Sequence, residues 1–229
     1  GSVDFGQSTD WLAQTTQIPL SQVYNLSLKG GTQNTNYIMS LKYRQLNGVM
    51  KKSDNTILYP RLEINHSMFD GILKVNANIN GYQQKHFAID GGNYSGLIYR
   101  NALTFNPTSP LRDENGNWVE QPDKTDYMNP LALIEESIGE NRNQNFRTFG
   151  TATLTPFDGF AVKALFSRDM YNSTRGYYET KQHYSTARNG RNGFASRGAT
   201  RSTDDLFELT ANYDKNLGEH YFTLLGGYT

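Results

Sequence analysis

The chain has no cysteine, so neither a disulfide framework nor a thiolate metal site is available to it. It also has no run approaching the ~18 consecutive apolar residues that a membrane-spanning helix requires, and its mean hydropathy is only −0.68. Charge of one sign is missing as well: 22 Lys and Arg balance 22 Asp and Glu, which leaves no basic excess for nucleic acid. The opening Gly1-Ser2-Val3-Asp4 lacks the basic start and apolar core of a secretory leader, as expected of a mature surface protein that has lost one and equally of a fragment. Tryptophan is scarce, with 2 residues against 15 Tyr and 12 Phe. None of these absences excludes a membrane, because a transmembrane barrel shows lipid only every second residue and keeps a low mean hydropathy.

What is present is alternation. Leu73-Lys74-Val75-Asn76-Ala77-Asn78-Ile79-Asn80 places four apolar side chains on one face of a strand and four polar ones on the other. Eight segments read this way: 21–30, 36–46, 57–68, 72–84, 146–155, 160–171, 204–214 and 220–229. Residues 1–20 read as an irregular leading segment, with Pro19 just before the first strand. Short turns are expected at 31–35, 69–71, 156–159 and 215–219, and longer connections at 47–56, 85–144 and 172–203. Short turns at one rim and long loops at the other is the layout of outer-membrane barrels. The fold class is therefore all-β and antiparallel, a transmembrane barrel segment with extracellular loops at 85–144 and 172–203. Within the first of these loops, Asn115-Gly116 suits a type I′ hairpin tip and Leu131 to Ser137 a short helix.

Two loop features suggest contacts. Tyr94, Tyr99, Phe105, Trp118 and Tyr127 are flat rings that suit sugar stacking or a lid protein, or else form the loop's own small core. Arg175, Lys181, Arg188, Arg191, Arg197 and Arg201 face one acid, Glu179, within 172–203. Arg188, Arg191 and Arg197 are the cations singled out for lipopolysaccharide phosphates or an anionic substrate, against the alternative of a solvated loop. The polar rows Lys42 and Arg44, Arg61 and Glu63, and Lys74 and Asn76 are expected to face the lumen. Asp113-Glu114-Asn115-Gly116-Asn117 departs from a calcium loop in its glycine position and its missing terminal Glu, and reads as a turn. The four histidines, at 66, 86, 183 and 220, lack ligand spacing, so no metal is expected. No nucleophile–base pair or phosphate loop stands out, and neither enzyme chemistry nor a cofactor is expected.

Several strings, in order along nearly the whole chain, resemble one family. They are Asp10-Trp11-Leu12, Pro19-Leu20-Ser21-Gln22, NLSLKGGTQNTNYIMSLKYRQLNGVM (25–50), LEINHSMFDGILKVNANINGY (62–82), NALTFNPTSPLRDENGNW (101–118), NPLALIE (129–135) and LTANYDKNLGEHYFTLLGGYT (209–229). The family is SusC/RagA, the TonB-linked outer-membrane transporters of Bacteroidetes. The resemblance implies a plug domain ahead of a barrel of about 22 strands, of which this chain covers early barrel strands and no plug. It implies TonB-energised import of oligosaccharides or peptides, with a SusD-like lipoprotein closing over the barrel mouth. Two other readings stay open from the residues alone. A self-contained eight-stranded barrel, acting as adhesin or passive pore, requires strand 21–30 to pair with 220–229. A soluble carbohydrate-binding sandwich requires the Leu73/Val75/Ala77/Ile79 face to pack on a second sheet.

Overall fold

A computed structural model describes residues 3–87, 94–121 and 127–229. The eight expected strands form one sheet in sequence order, each antiparallel to its neighbours. They are β1 (Gln22–Gly31), β2 (Thr35–Leu46), β3 (Asn55–Met68), β4 (Leu73–His86), β5 (Ser137–Phe157), β6 (Phe160–Glu179), β7 (Phe194–Leu217) and β8 (His220–Tyr228). Among the described residues β1 pairs with β2 alone and β8 with β7 alone. The sheet is not a closed eight-stranded barrel, and it is not one half of a sandwich, because no second sheet covers it among the described residues.

Register fixes which side chains share a face. Leu26 lies opposite Leu41, Met39 opposite Leu62, Ile64 opposite Ala77, Val75 opposite Ala152, Leu154 opposite Val162 and Ala164 opposite Leu209. These side chains form an apolar band across all eight strands, and it is bare: Leu26 is 73% exposed and Leu224 67%. Aromatic rings border it. Tyr24 and Tyr43 pair at one margin, followed by Phe146, Phe166 and Phe207 along β5 to β7. At the short-turn margin Phe157 stacks on Phe160 at 5.1 Å, with Tyr213 edge-on. A register shift between Leu154 and Phe157 turns the Phe157 ring onto that face and accommodates Pro156. From Phe160 to Phe166 on β6 and from Phe207 to Tyr213 on β7 the band is seven residues deep, about 23 Å of strand.

The opposite face is a polar lattice. Asn76 donates to Asn65 (2.7 Å) and Asn65 to Asn36 (3.0 Å). The Glu63 carboxylate accepts from Arg61, Asn65 and Asn78. Further along, the Asp169 carboxylate accepts from Asn145 and Arg147.

Strands β5, β6 and β7 run well past the alternating segments, so residues 137–144, 172–179 and 194–203 are strand where the sequence suggests loop. There both faces are wet. Beyond the apolar band the same face carries Glu140 with Lys85 and Arg142, and Arg168 with Asp205. The long connections shrink to 47–54, 87–136 and 180–193.

The hydrophobic core lies off the sheet, in a cap at the long-loop end. Helices α1 (Trp11–Thr15), α2 (Tyr94–Thr104) and α3 (Pro130–Glu135) pack together there. Two clusters fill it: Met50, Ile98, Leu133 and Ile134, and Trp11, Ala102, Phe105 and Leu131. The leading segment is therefore not irregular. Asp10 caps α1 through the Ala13 N–H, and the Trp11 indole donates to the Asn106 carbonyl. A fourth short helix, α4 (Tyr184–Arg188), sits in the 180–193 connection. Among the described residues no helix is long and apolar enough to cross a membrane, which says nothing of strands.

Two glycines separate backbone strain from close contact. Gly159 has φ +80, and an added Cβ would meet the Asp214 carbonyl at 2.1 Å; Gly116 has φ +81 and open space. Gly116→Ala should cost only the left-handed penalty of about 1–2 kcal/mol. Gly159→Ala should cost more, because backbone must shift, and should visibly lower the fraction of protein that resists heat unfolding on gels.

Candidate functional site

The cap is held by buried polar groups that each satisfy more than one backbone atom. Asn129, fully buried, accepts from the Leu131 and Ala132 amides as the N-cap of α3, ahead of Pro130 at its first turn. Its own amide N–H donates to Glu120 Oε2 at 2.9 Å, and its side chain donates to the Val119 carbonyl. Asn101 Oδ1 accepts from the Met128 amide at 2.8 Å. At the other end of α3, Lys52 Nζ donates to the Ile134 and Ser137 carbonyls. An ammonium at helix C-terminal carbonyls is favourable, yet burial outweighs Glu135 and Glu136 and lowers the Lys52 pKa.

A groove of about 670 Å³ opens between the 117–120 segment and the α4 connection, lined by Asn117, Trp118, Glu120, Lys181, Gln182, Tyr184 and Arg188, with Ala187. The Arg112 guanidinium lies 3.6 Å over the Trp118 ring, and the indole N–H donates to Glu136 Oε1 at 2.7 Å. Glu136 Oε2 in turn accepts from the Thr180 hydroxyl, which ties the two walls together. Beneath α4, His183 is 6% exposed, and its Nδ1 accepts from the Ser185 amide and stands 3.4 Å from Glu179 Oε2. Burial lowers the His183 pKa despite the nearby Glu179 and Glu136.

The aromatics named from the sequence separate. Phe105 is 3% exposed and packs edge-on against Trp11 at 4.8 Å, so it has no surface to offer a ligand. Trp118 and Tyr127 pack against the same cluster, while Tyr99 is exposed on α2. Tyr94 opens α2, but its side chain lies outside the described residues. The cations separate too. Arg188 is on α4 and Arg191 just beyond it, whereas Arg197 sits on β7 opposite Gly176, on the face that carries the apolar band lower down. Lys42, Arg44, Arg61, Glu63, Lys74 and Asn76 all share the polar face by register. The Asn115-Gly116 tip is not type I′, since only Gly116 has positive φ. Asp113 instead accepts from the Asn115 and Asn117 amides in a turn closed by Gly116, bonds that hold its carboxyl below the usual range.

Sequence reasoning did not find Glu120 or Lys181 as parts of one site. Glu120 Oε1 is buried without a hydrogen-bond partner, and burial pushes the carboxyl up to about 7. A raised carboxyl pKa works against the fold as pH climbs from the unfolded value toward 7 and beyond. Glu120→Gln keeps an acceptor for the Asn129 amide and removes the charge. The variant should match wild type at pH 5 and protect residues 129–134 from hydrogen exchange more strongly than wild type at pH 8.

No family profile matches the chain. It is 26% identical over 211 residues to TonB-dependent receptor P26 of Formosa agariphila, covering 90% of this chain and 20% of that protein. It is 28% identical over 130 residues to TonB-dependent receptor SusC of Bacteroides thetaiotaomicron, covering 54% of this chain and 13% of SusC. The RagAB peptide transporter structure superposes with a TM-score of 0.76 at 24% identity, over 98% of this chain and 26% of that one, a likeness of fold. The chain thus spans about a fifth of the length of the first of these curated relatives. Eight meandering strands with a bare apolar band superpose on a quarter of a far larger barrel, and along most of its length the chain is similar in sequence to TonB-dependent receptors.

Proposed function

We propose that this chain is part of the wall of an outer-membrane importer. The observation that carries the reading is the two-faced sheet: a bare apolar band bordered by aromatic rows on one side and a hydrogen-bonded polar lattice on the other. Hydrocarbon satisfies the first face and a wet interior the second. Lys42, Arg44, Arg61, Glu63, Lys74 and Asn76 then line the lumen, facing water or a plug. The long connections within 85–144 and 172–203, together with the strand ends that carry them, stand outside the cell, and the short turns face the periplasm. Among the described residues β1 and β8 have unpaired edges, which hydrocarbon does not tolerate, so in this reading each edge pairs with a strand beyond these eight.

Likeness to TonB-dependent receptors supports TonB-driven nutrient uptake with no chemistry performed on the cargo. Cargo is an oligosaccharide or a peptide; RagAB, which shares the fold, is a peptide transporter. A SusD-like surface lipoprotein closes the mouth above the cap, and TonB acts through the plug region of the receptor. Tyr99, Arg188 and Arg191 are the exposed residues placed to meet cargo or that partner.

Two measurements test this. Ala164→Arg, mid-band between Phe160 and Phe166, should cost about 2–4 kcal/mol when unfolding is followed from lipid bilayers. Lys163→Ala, the neighbour on the polar face, should change stability by no more than about 0.5 kcal/mol. Equal tolerance of both would remove hydrocarbon from the picture. In cells, uptake of labelled cargo should stop when an uncoupler collapses the inner-membrane energy supply, and uptake that continues would make the barrel a passive pore.

A further inference from the structure

The groove between the 117–120 segment and α4 combines two residues that also hold the cap, Trp118 and Glu120, with Lys181, Gln182 and Arg188 from the opposite wall. Its volume of about 670 Å³ lies within the range of ligand pockets. Two of its lining side chains are cationic, and neither has an acidic partner among the described residues. Lys181 makes no ion pair there, and the Arg188 guanidinium donates to the Tyr184 hydroxyl at 3.0 Å. Elsewhere on this chain Arg61, Lys85, Arg142, Arg147 and Arg168 each meet a carboxylate. Unpaired cations facing a pocket favour an anion, with charge-assisted bonds about twice the strength of neutral ones.

The remaining lining narrows the ligand. Trp118 is held fixed by Arg112 on its ring and Glu136 on its N–H, so an ordered indole borders the groove. Asn117 and Gln182 supply amides that both donate and accept. Glu120 borders the same space with its buried, unpartnered Oε1. A flat aromatic and two amides provide for a ring studded with hydroxyls, and the two cations for a negative substituent on it.

We propose that this groove binds an acidic sugar residue, one ring bearing a carboxylate or a sulfate, within the cargo of the importer. The assignment rests on the import reading and names a substrate class for it. Lys181 and Arg188 bind the anionic substituent, Asn117 and Gln182 the ring hydroxyls, and Trp118 borders the ring.

The test uses the intact receptor in detergent and titrates it calorimetrically with four probes: a galacturonate tetrasaccharide, a sulfated galactan tetrasaccharide, a neutral maltotetraose and an acidic tetrapeptide. At least one acidic sugar should bind tenfold or more tightly than maltotetraose and the peptide, and the better of the two identifies the substituent. Lys181→Ala and Arg188→Ala should each weaken that binding about tenfold, with the heat-resistant barrel fraction unchanged. Lys181→Arg should retain most of it. Equal binding of neutral and acidic sugars, peptide binding as tight as sugar binding, absence of binding by all four, or indifference to both substitutions would each overturn the assignment. Uncoupler-sensitive uptake alongside any of those results would leave the import reading standing. Uptake that survives the uncoupler, with the charge preference intact, would remove import and keep the groove.

Discussion

Backbone amides that lie between hydrocarbon and a wall of side chains have no water to fall back on, so each must be paired with the next strand. That constraint accounts for most of this sheet. Long unbroken ladders join neighbouring strands, and β6 and β7 pair from Phe160–Tyr213 to Glu179–Phe194 with no register shift. Proline is confined to places where the ladder already gives way. Pro156 sits in the β5 irregularity. Pro60, inside β3, lies where the β3–β4 register omits two pairs, opposite Gly81, whose own lack of a side chain admits the Asn145 carbonyl. An added Cβ at Gly81 would stand 2.2 Å from that oxygen.

The cap is built on a different principle. Its apolar clusters are small, and much of its definition comes from buried amides and hydroxyls: Asn101, Asn129, Thr15 and Ser137 are each at most 1% exposed. Such groups contribute little net stability when satisfied, but leaving one unsatisfied costs about 1–3 kcal/mol. They fix geometry more than they add stability. Lys52 spans from the β2–β3 connection to the end of α3, which enters β5 directly, so the cap cannot rotate on the wall without breaking those bonds.

Alternation makes the strands legible wherever one face is apolar and the other polar, as in Leu73 to Asn80. It fails where both faces are wet. Glu140, Arg142 and Gln144 alternate with Asn141, Asn143 and Asn145, and a polar residue at every position carries no period. The extensions of β5, β6 and β7 therefore look like loop in the sequence. α2 does leave a trace, since Leu97, Ile98, Asn101, Ala102 and Phe105 follow helical spacing and are buried or half-buried in the cap. The groove leaves none, because Trp118 and Glu120 meet Lys181 and Arg188 only after the β5–β6 hairpin folds back.

The wet extensions explain why the groove can exist at all. A wall ending at the aromatic row would leave the 180–193 connection at the lipid headgroups. Instead β6 continues from Phe166 to Glu179, roughly 40 Å of further strand, and raises α4 to the level of the cap. Along that rise Arg168 pairs with Asp205 and Lys85 with Glu140, while Arg197 and Arg201 stand on the same face of β7 opposite Gly176 and Asn172. At the top Lys181 and Arg188 are left without acids among the described residues. They border the groove at the top of the wall, where an anion arriving from solution meets them.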